Sequence, residues 1–104
     1  MKFLVTFSFP TESGNKKLAD PEFGAKFGSL LKEIGAEAAY LCPVGGKRGG
    51  YVIVNFSDAS NVAVILEKFW FWLNADVEII PVMIPEDLAK AMPEIKTSMN
   101  KWGQ

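Results

Sequence analysis

The chain has 104 residues, with 11 basic and 12 acidic side chains, a formal charge of −1, one cysteine and no histidine. That length suits one domain around one core, residues 1–104, and leaves no room for a catalytic domain beside a separate binding domain. Balanced charge excludes the basic field that holds nucleic acid or anionic lipid, and the missing histidine excludes Ser-His and Cys-His pairs and His-based zinc or haem sites.

In MKFLVTFSF, Phe3, Val5, Phe7 and Phe9 alternate with Lys2, Leu4, Thr6 and Ser8. This is the period-two pattern of a strand with one apolar and one mixed face. Thr6, Ser8, Pro10 and the lack of a small-x-small cleavage pattern argue against a secretory signal. Residues 10–20, PTESGNKKLAD, read as a loop. A helix follows, with Asp20 as N-cap, Pro21 in the first helical position and Gly35 in the left-handed position after the last turn. Phe23, Phe27, Leu31 and Ile34 form its core face.

Residues 36–44 and 50–56 read as two strands of a hairpin joined across VGGKRGG, with Lys47 and Arg48 at the tip. Ser57 or Asp58 caps a second helix whose apolar stripe is Val62, Ile65, Leu66, Phe69 and Leu73. In a fourth strand, Val77, Ile79, Pro81 and Met83 alternate with Asp76, Glu78, Ile80 and Val82; Pro81 assigns it to a sheet edge or marks its end. From Pro85, the residues Leu88, Met92, Ile95, Met99 and Trp102 form a helical stripe, kinked or restarted at Pro93. No segment approaches the ~20 apolar residues of a membrane span.

The order βαββαβ plus a C-terminal helix predicts an α+β, ferredoxin-like sheet with both crossover helices on one face. The unbroken run Phe69, Trp70, Phe71, Trp72 exceeds what one helix face can bury. Val64 and Phe71 point away from the stripe, so a partner surface or the C-terminal helix is expected to cover them. Otherwise the helix ends near Trp70 and the remaining aromatics wrap around the domain edge. The helix-free sheet face would carry Leu4, Ile53, Ile80 and Val82, more apolar than a solvated antiparallel face requires. Two such faces closing on each other give a homodimeric, eight-stranded barrel.

Three stretches, MKFLVTFSFP, GGYVIVNF with the capped helix after it, and DVEIIPVM, resemble a family of short bacterial proteins known only as a domain of unknown function. That resemblance implies membership of the dimeric α+β-barrel group, which also holds muconolactone isomerases and antibiotic-biosynthesis monooxygenases. Its motifs are strand and packing residues, specific for fold and weak for activity. The family pattern often places a Trp and a His on the second strand, where this chain reads AAYLCPVGG, so no histidine role carries over.

GGKRGG lacks the phosphate-loop pattern and joins two strands instead of opening a helix, so Lys47 and Arg48 read as tip charges or a rim for an acidic ligand. Thr6, Ser8, Tyr51, Asn55 and Glu78 share one predicted sheet face and are the candidate ligand contacts. Glu78, among apolar strand residues, is the candidate general acid or base. Tyr40 is the candidate orienting group, leaning into a pocket between sheet and helices. The competing reading gives these groups structural hydrogen bonds or solvent. Cys42 reads as a buried small apolar residue, and having no partner it suits the reducing cytoplasm. No Asp/Glu spacing suggests a metal, and no cofactor is expected. The sequence therefore points to a small-molecule-binding or interaction module, a homodimer with no nucleic-acid or membrane partner. The alternative is a cofactor-independent isomerase or monooxygenase acting on a small organic molecule.

Overall fold

The computed structural model describes residues 1–103 and orders its elements as β1 (Lys2–Phe9), α1 (Thr11–Leu18), α2 (Phe23–Glu33), β2 (Ala38–Val44), β3 (Lys47–Asn55), α3 (Ser60–Leu73), β4 (Asp76–Pro81) and α4 (Pro85–Trp102). The four strands form one sheet in the order β2-β3-β1-β4 with every neighbouring pair antiparallel. Two split βαβ units interleave in this way, so the fold is α+β and ferredoxin-like. β4 lies at an edge, where Pro81 costs no internal ladder bond.

The expected loop over 10–20 is largely a helix, α1. Pro10 presents its carbonyl to the Gly14 N–H at 2.8 Å and to the Ser13 hydroxyl at 3.2 Å. Glu12 in the first turn and Lys16 and Lys17 in the last complement the helix dipole. Polar composition concealed this helix because only one side of it touches the core, through the buried Gly14.

α2 begins two residues later than Pro21 suggested. Asp20 accepts from the Glu22 N–H at 2.9 Å and from Lys26 at 2.8 Å, which orders the turn leading into the helix. Gly35 follows the helix at φ +68°. Leu30 joins Phe27 and Ile34 in the core, while Phe23 and Leu31 are only partly buried. The N-cap position of α3 falls on Ala59 and not on Ser57 or Asp58, but Asp58 orders the turn into the helix: its Oδ1 accepts from both the backbone N–H and the hydroxyl of Ser60, each at 2.9 Å. These bonds hold the Asp58 carboxyl below its ordinary range.

The hairpin differs from expectation at its tip. The turn is Gly45-Gly46, at φ +58° and +79°, and Lys47 and Arg48 already pair with Val44 and Pro43 inside the ladder. A two-residue turn with two positive φ angles matches the strand twist, which fixes this register. Further along β3, a Cβ on Gly50 would stand 2.2 Å from the carbonyl oxygen of Tyr40, so the backbones approach too closely for a side chain.

The core lies between the sheet and α2 and α3. Val5, Phe7 and Phe9 of β1 and Val52 and Val54 of β3 face Phe27, Leu30, Ile34, Ile65, Phe69 and Leu73. Phe7 is central, with ring centroids 4.9 Å from Phe69 and 5.9 Å from Phe27. The four successive aromatics of α3 divide by angle around the helix, which continues to Leu73 instead of ending near Trp70. Phe69 is buried, Trp72 stacks on Phe23 at 5.2 Å, Trp70 is half exposed and Phe71 is 86% exposed. The C-terminal helix does not bury Phe71 within the chain. Instead α4 runs continuously through Pro93, with none of its own residues buried, in a molecule 58 Å long and 26 Å across.

Candidate functional site

The strand register decides which predicted site residues meet. Thr6 pairs with Tyr51 on one side and Glu78 on the other, and Tyr51 pairs with Tyr40. The open face thus carries one row, Tyr40–Tyr51–Thr6–Glu78, across all four strands. Below it runs Cys42–Gly49–Ser8–Asp76, and on the other side Ala38–Ile53–Leu4–Ile80. Thr6, Ser8, Tyr51 and Glu78 therefore share the expected face. Asn55 lies on that face too, but opposite Lys2 at the far end, where its Oδ1 accepts from the N-terminal amine at 2.8 Å.

Tyr40 departs from its predicted place. Its pairing with Tyr51 puts it on the open face, 66% exposed, instead of between sheet and helices. Tyr40 and Glu78 also stand on opposite edge strands, three inter-strand steps or roughly 14 Å apart, too far to act on one atom. Tyr51, two steps from Glu78, is the nearer phenol. Glu78 itself is exposed, and Cys42 is only half buried. Among the described residues no group of three or more His, Cys, Asp or Glu side chains is placed to hold a metal ion.

A concave site exists on the other side of the sheet. A cleft of about 580 Å³ opens where α1 and the start of α2 stand over the β2–β3 hairpin end. Phe7, Phe9, Phe23, Phe27, Leu18 and Leu41 line it together with Arg48, while the neighbouring Lys47 alternates to the open face of the sheet. Leu18 and Leu41 remain exposed because no helix covers the edge strand β2 beside them. Arg48 stands opposite Phe9, on the helix side, and its Nη1 donates to the Thr11 carbonyl at 3.4 Å. One long bond leaves most of the five guanidinium donors available to an anion. Sequence reasoning missed this site because it placed Arg48 on a turn. The two-residue Gly-Gly signal was the means to find it, since that turn pairs Arg48 with Pro43 and turns it towards the helices.

A second concavity of similar volume lies between α2 and α3, lined by Val64 and Phe71 and by Lys26, Glu33, Glu67 and Lys68. Lys68 pairs with Glu33 there at 3.4 Å and Lys26 with Asp20 at 2.8 Å, so both of its lysines are already engaged.

Residues 1–96 match the model of a family described as Domain of unknown function (DUF3303). The chain belongs to that family. Its membership covers every strand and both core helices and attaches no chemistry to any of them. No curated protein matches the chain. Among solved structures, the chain is similar to the de novo designed protein Ferredog-Diesel, at 17% identity and a TM-score of 0.45 over 78% of this chain and 85% of that one. Among the described residues no helix is long and apolar enough to cross a membrane.

Proposed function

We propose that the chain is a homodimeric small-molecule-binding module whose ligand is a small apolar organic molecule with an acidic end. The observation that carries the reading is the cleft beside α1: an apolar lining rich in phenylalanine, of ligand size, beside the cationic side chain of Arg48. An apolar body gains from burial against Phe9, Phe23 and Leu41, and a carboxylate beside them meets Arg48. Isothermal titration with an aromatic carboxylic acid and its neutral alcohol analogue tests it. Binding of the acid that weakens on Arg48→Ala supports the reading; no binding of either compound to wild type overturns it.

Dimerisation is supported by the open face, where Leu4, Ile53 and Ile80 form an uncovered apolar row beside Tyr40 and Tyr51. Closing that row against a second copy hides it and brings Glu78 out of bulk water. Native mass spectrometry reads subunit number and retained ligand together. The lone, unbridged Cys42 suits a cytoplasmic setting.

A second reading, cofactor-independent catalysis on a small organic molecule, draws on Glu78, Thr6 and Tyr51 standing side by side across three strands. Within a closed dimer, Glu78 would serve as acid or base and Tyr51 as the orienting phenol. Should turnover be found, Glu78→Gln abolishes it on this reading; full activity in that variant removes Glu78 from the mechanism.

A further inference from the structure

α4 carries its apolar residues at 88, 92, 95, 99 and 102, in alternating steps of four and three. That is a mean repeat of 3.5. A helix destined for the flank of its own domain carries a broader stripe, whereas a seam of two residues per heptad is the pattern of a helix that meets another helix. The flanking positions are mostly short, Ala89 and Ala91 on either side and Ser98 beyond, so a second backbone can approach closely. Pro93 falls about 140° from the seam at 100° per residue, where its ring and missing N–H obstruct nothing. Among the described residues none buries the seam: Met99 is 66% and Trp102 74% exposed.

We infer that α4 pairs antiparallel with α4 of a second copy. Charge sets the direction. The first half of the helix, 85–93, holds Glu86 and Asp87 against one lysine, Lys90; the second half, 94–102, holds Lys96 and Lys101 against one acid, Glu94. Antiparallel pairing lays the acidic half of each helix along the basic half of the other and opposes the two helix dipoles, while parallel pairing stacks like on like. The register that fills the most layers sets Leu88 against the partner's Met99, Met92 against the partner's Ile95, and Trp102 over the partner's Pro85.

The inference rests on the homodimer reading, and area explains why it needs that reading. An 18-residue helix is about 27 Å long and ~10 Å wide, so its footprint is roughly 270 Å². Two such footprints fall short of the ~1,200 Å² at which specific interfaces begin. The seam therefore acts with a second contact, the open sheet face, whose docking raises the local concentration of the two helices.

Face-selective cross-linking of the full-length chain is the test, in a Cys42→Ser background. Met92→Cys/Ile95→Cys places thiols on the seam and Lys90→Cys/Thr97→Cys on the outer side. Alongside it, sedimentation equilibrium compares wild type with Met92→Glu/Met99→Glu, which folds because α4 buries nothing in its own chain. The expected result is rapid disulfide-locked dimer from seam cysteines only, and a dimer dissociation constant raised at least about tenfold by the glutamates. Equal oxidation of seam and outer cysteines in a protein that still dimerises, or an unchanged dissociation constant, overturns the α4 pairing and leaves the homodimer standing. A wild-type chain that stays monomeric at high micromolar concentration overturns both.

Discussion

Phe7 and Phe71 are the same residue type in apolar surroundings, and the structure assigns them opposite energetic weight. Phe7 is buried at the centre of the core, with its ring against Phe9, Phe27 and Phe69. Phe7→Ala removes that ring and leaves a cavity that neighbours on a rigid sheet cannot fill, a loss of about 3 to 5 kcal/mol. Against a total stability of about 5 to 15 kcal/mol for such a domain, the variant keeps only part of its margin. At roughly 4 to 8 °C per kcal/mol, its melting temperature falls by at least about 12 °C. Phe71→Ala touches a ring that is 86% exposed and changes monomer stability by less than about 0.5 kcal/mol. Urea unfolding followed by tryptophan fluorescence, at a protein concentration low enough to keep the chain monomeric, reads both. Equal midpoint shifts for the two variants would refute the placement of α3 over β1. A shift for Phe71→Ala that appears only at high protein concentration would instead locate Phe71 in an interface between copies.

Gly50→Ala drives a methyl group into the Tyr40 carbonyl and is expected to destabilise by roughly 2 kcal/mol, seen as a lower urea midpoint; a neutral outcome would mean that β2 is free to move away. Lys26 lowers the Asp20 carboxyl, Lys2 lowers that of Glu37, and the Ser60 N–H and hydroxyl lower that of Asp58. A carboxyl lowered in the folded state releases its proton more readily there than in the unfolded chain. Its stabilisation is therefore full above the ordinary values of 3.8 and 4.5 and is lost as pH falls through the lower folded values. Urea midpoints are expected to fall most steeply below about pH 4, and Asp58→Asn flattens the profile; an unchanged slope in that variant would refute the weight given to the two Ser60 bonds. Leu41→Asp introduces a negative charge into the cleft wall and weakens binding of an aromatic acid by at least about tenfold with little effect on stability, which isothermal titration and thermal melts read in parallel.

How the residues encode the elements differs from how the elements form sites. Alternation along MKFLVTFSF, the Gly35 stop, the Val62 to Leu73 stripe and the Pro81 edge are local statements, because each depends on periods of 2 or 3.6 residues and on backbone angles that individual side chains permit or forbid. They were sufficient for the strands, both core helices, the ferredoxin-like order and the face shared by Thr6, Ser8, Tyr51 and Glu78. α1 was hidden, since a helix that touches the core through one glycine carries no apolar period. The positions of Tyr40 and Arg48 were decided by register. A hairpin whose turn is Gly45-Gly46 instead of the longer VGGKRGG re-pairs β2 and β3, so it sends Arg48 towards the helices and pairs Tyr40 with Tyr51 on the open face. The cleft beneath Arg48 follows from that register together with α1, two features that are distant in sequence. Local pattern thus determined the strands, the two core helices and the C-terminal helix, but not α1. Only tertiary packing decided which side chains share a surface, because that depends on distances between segments that no short window of sequence contains.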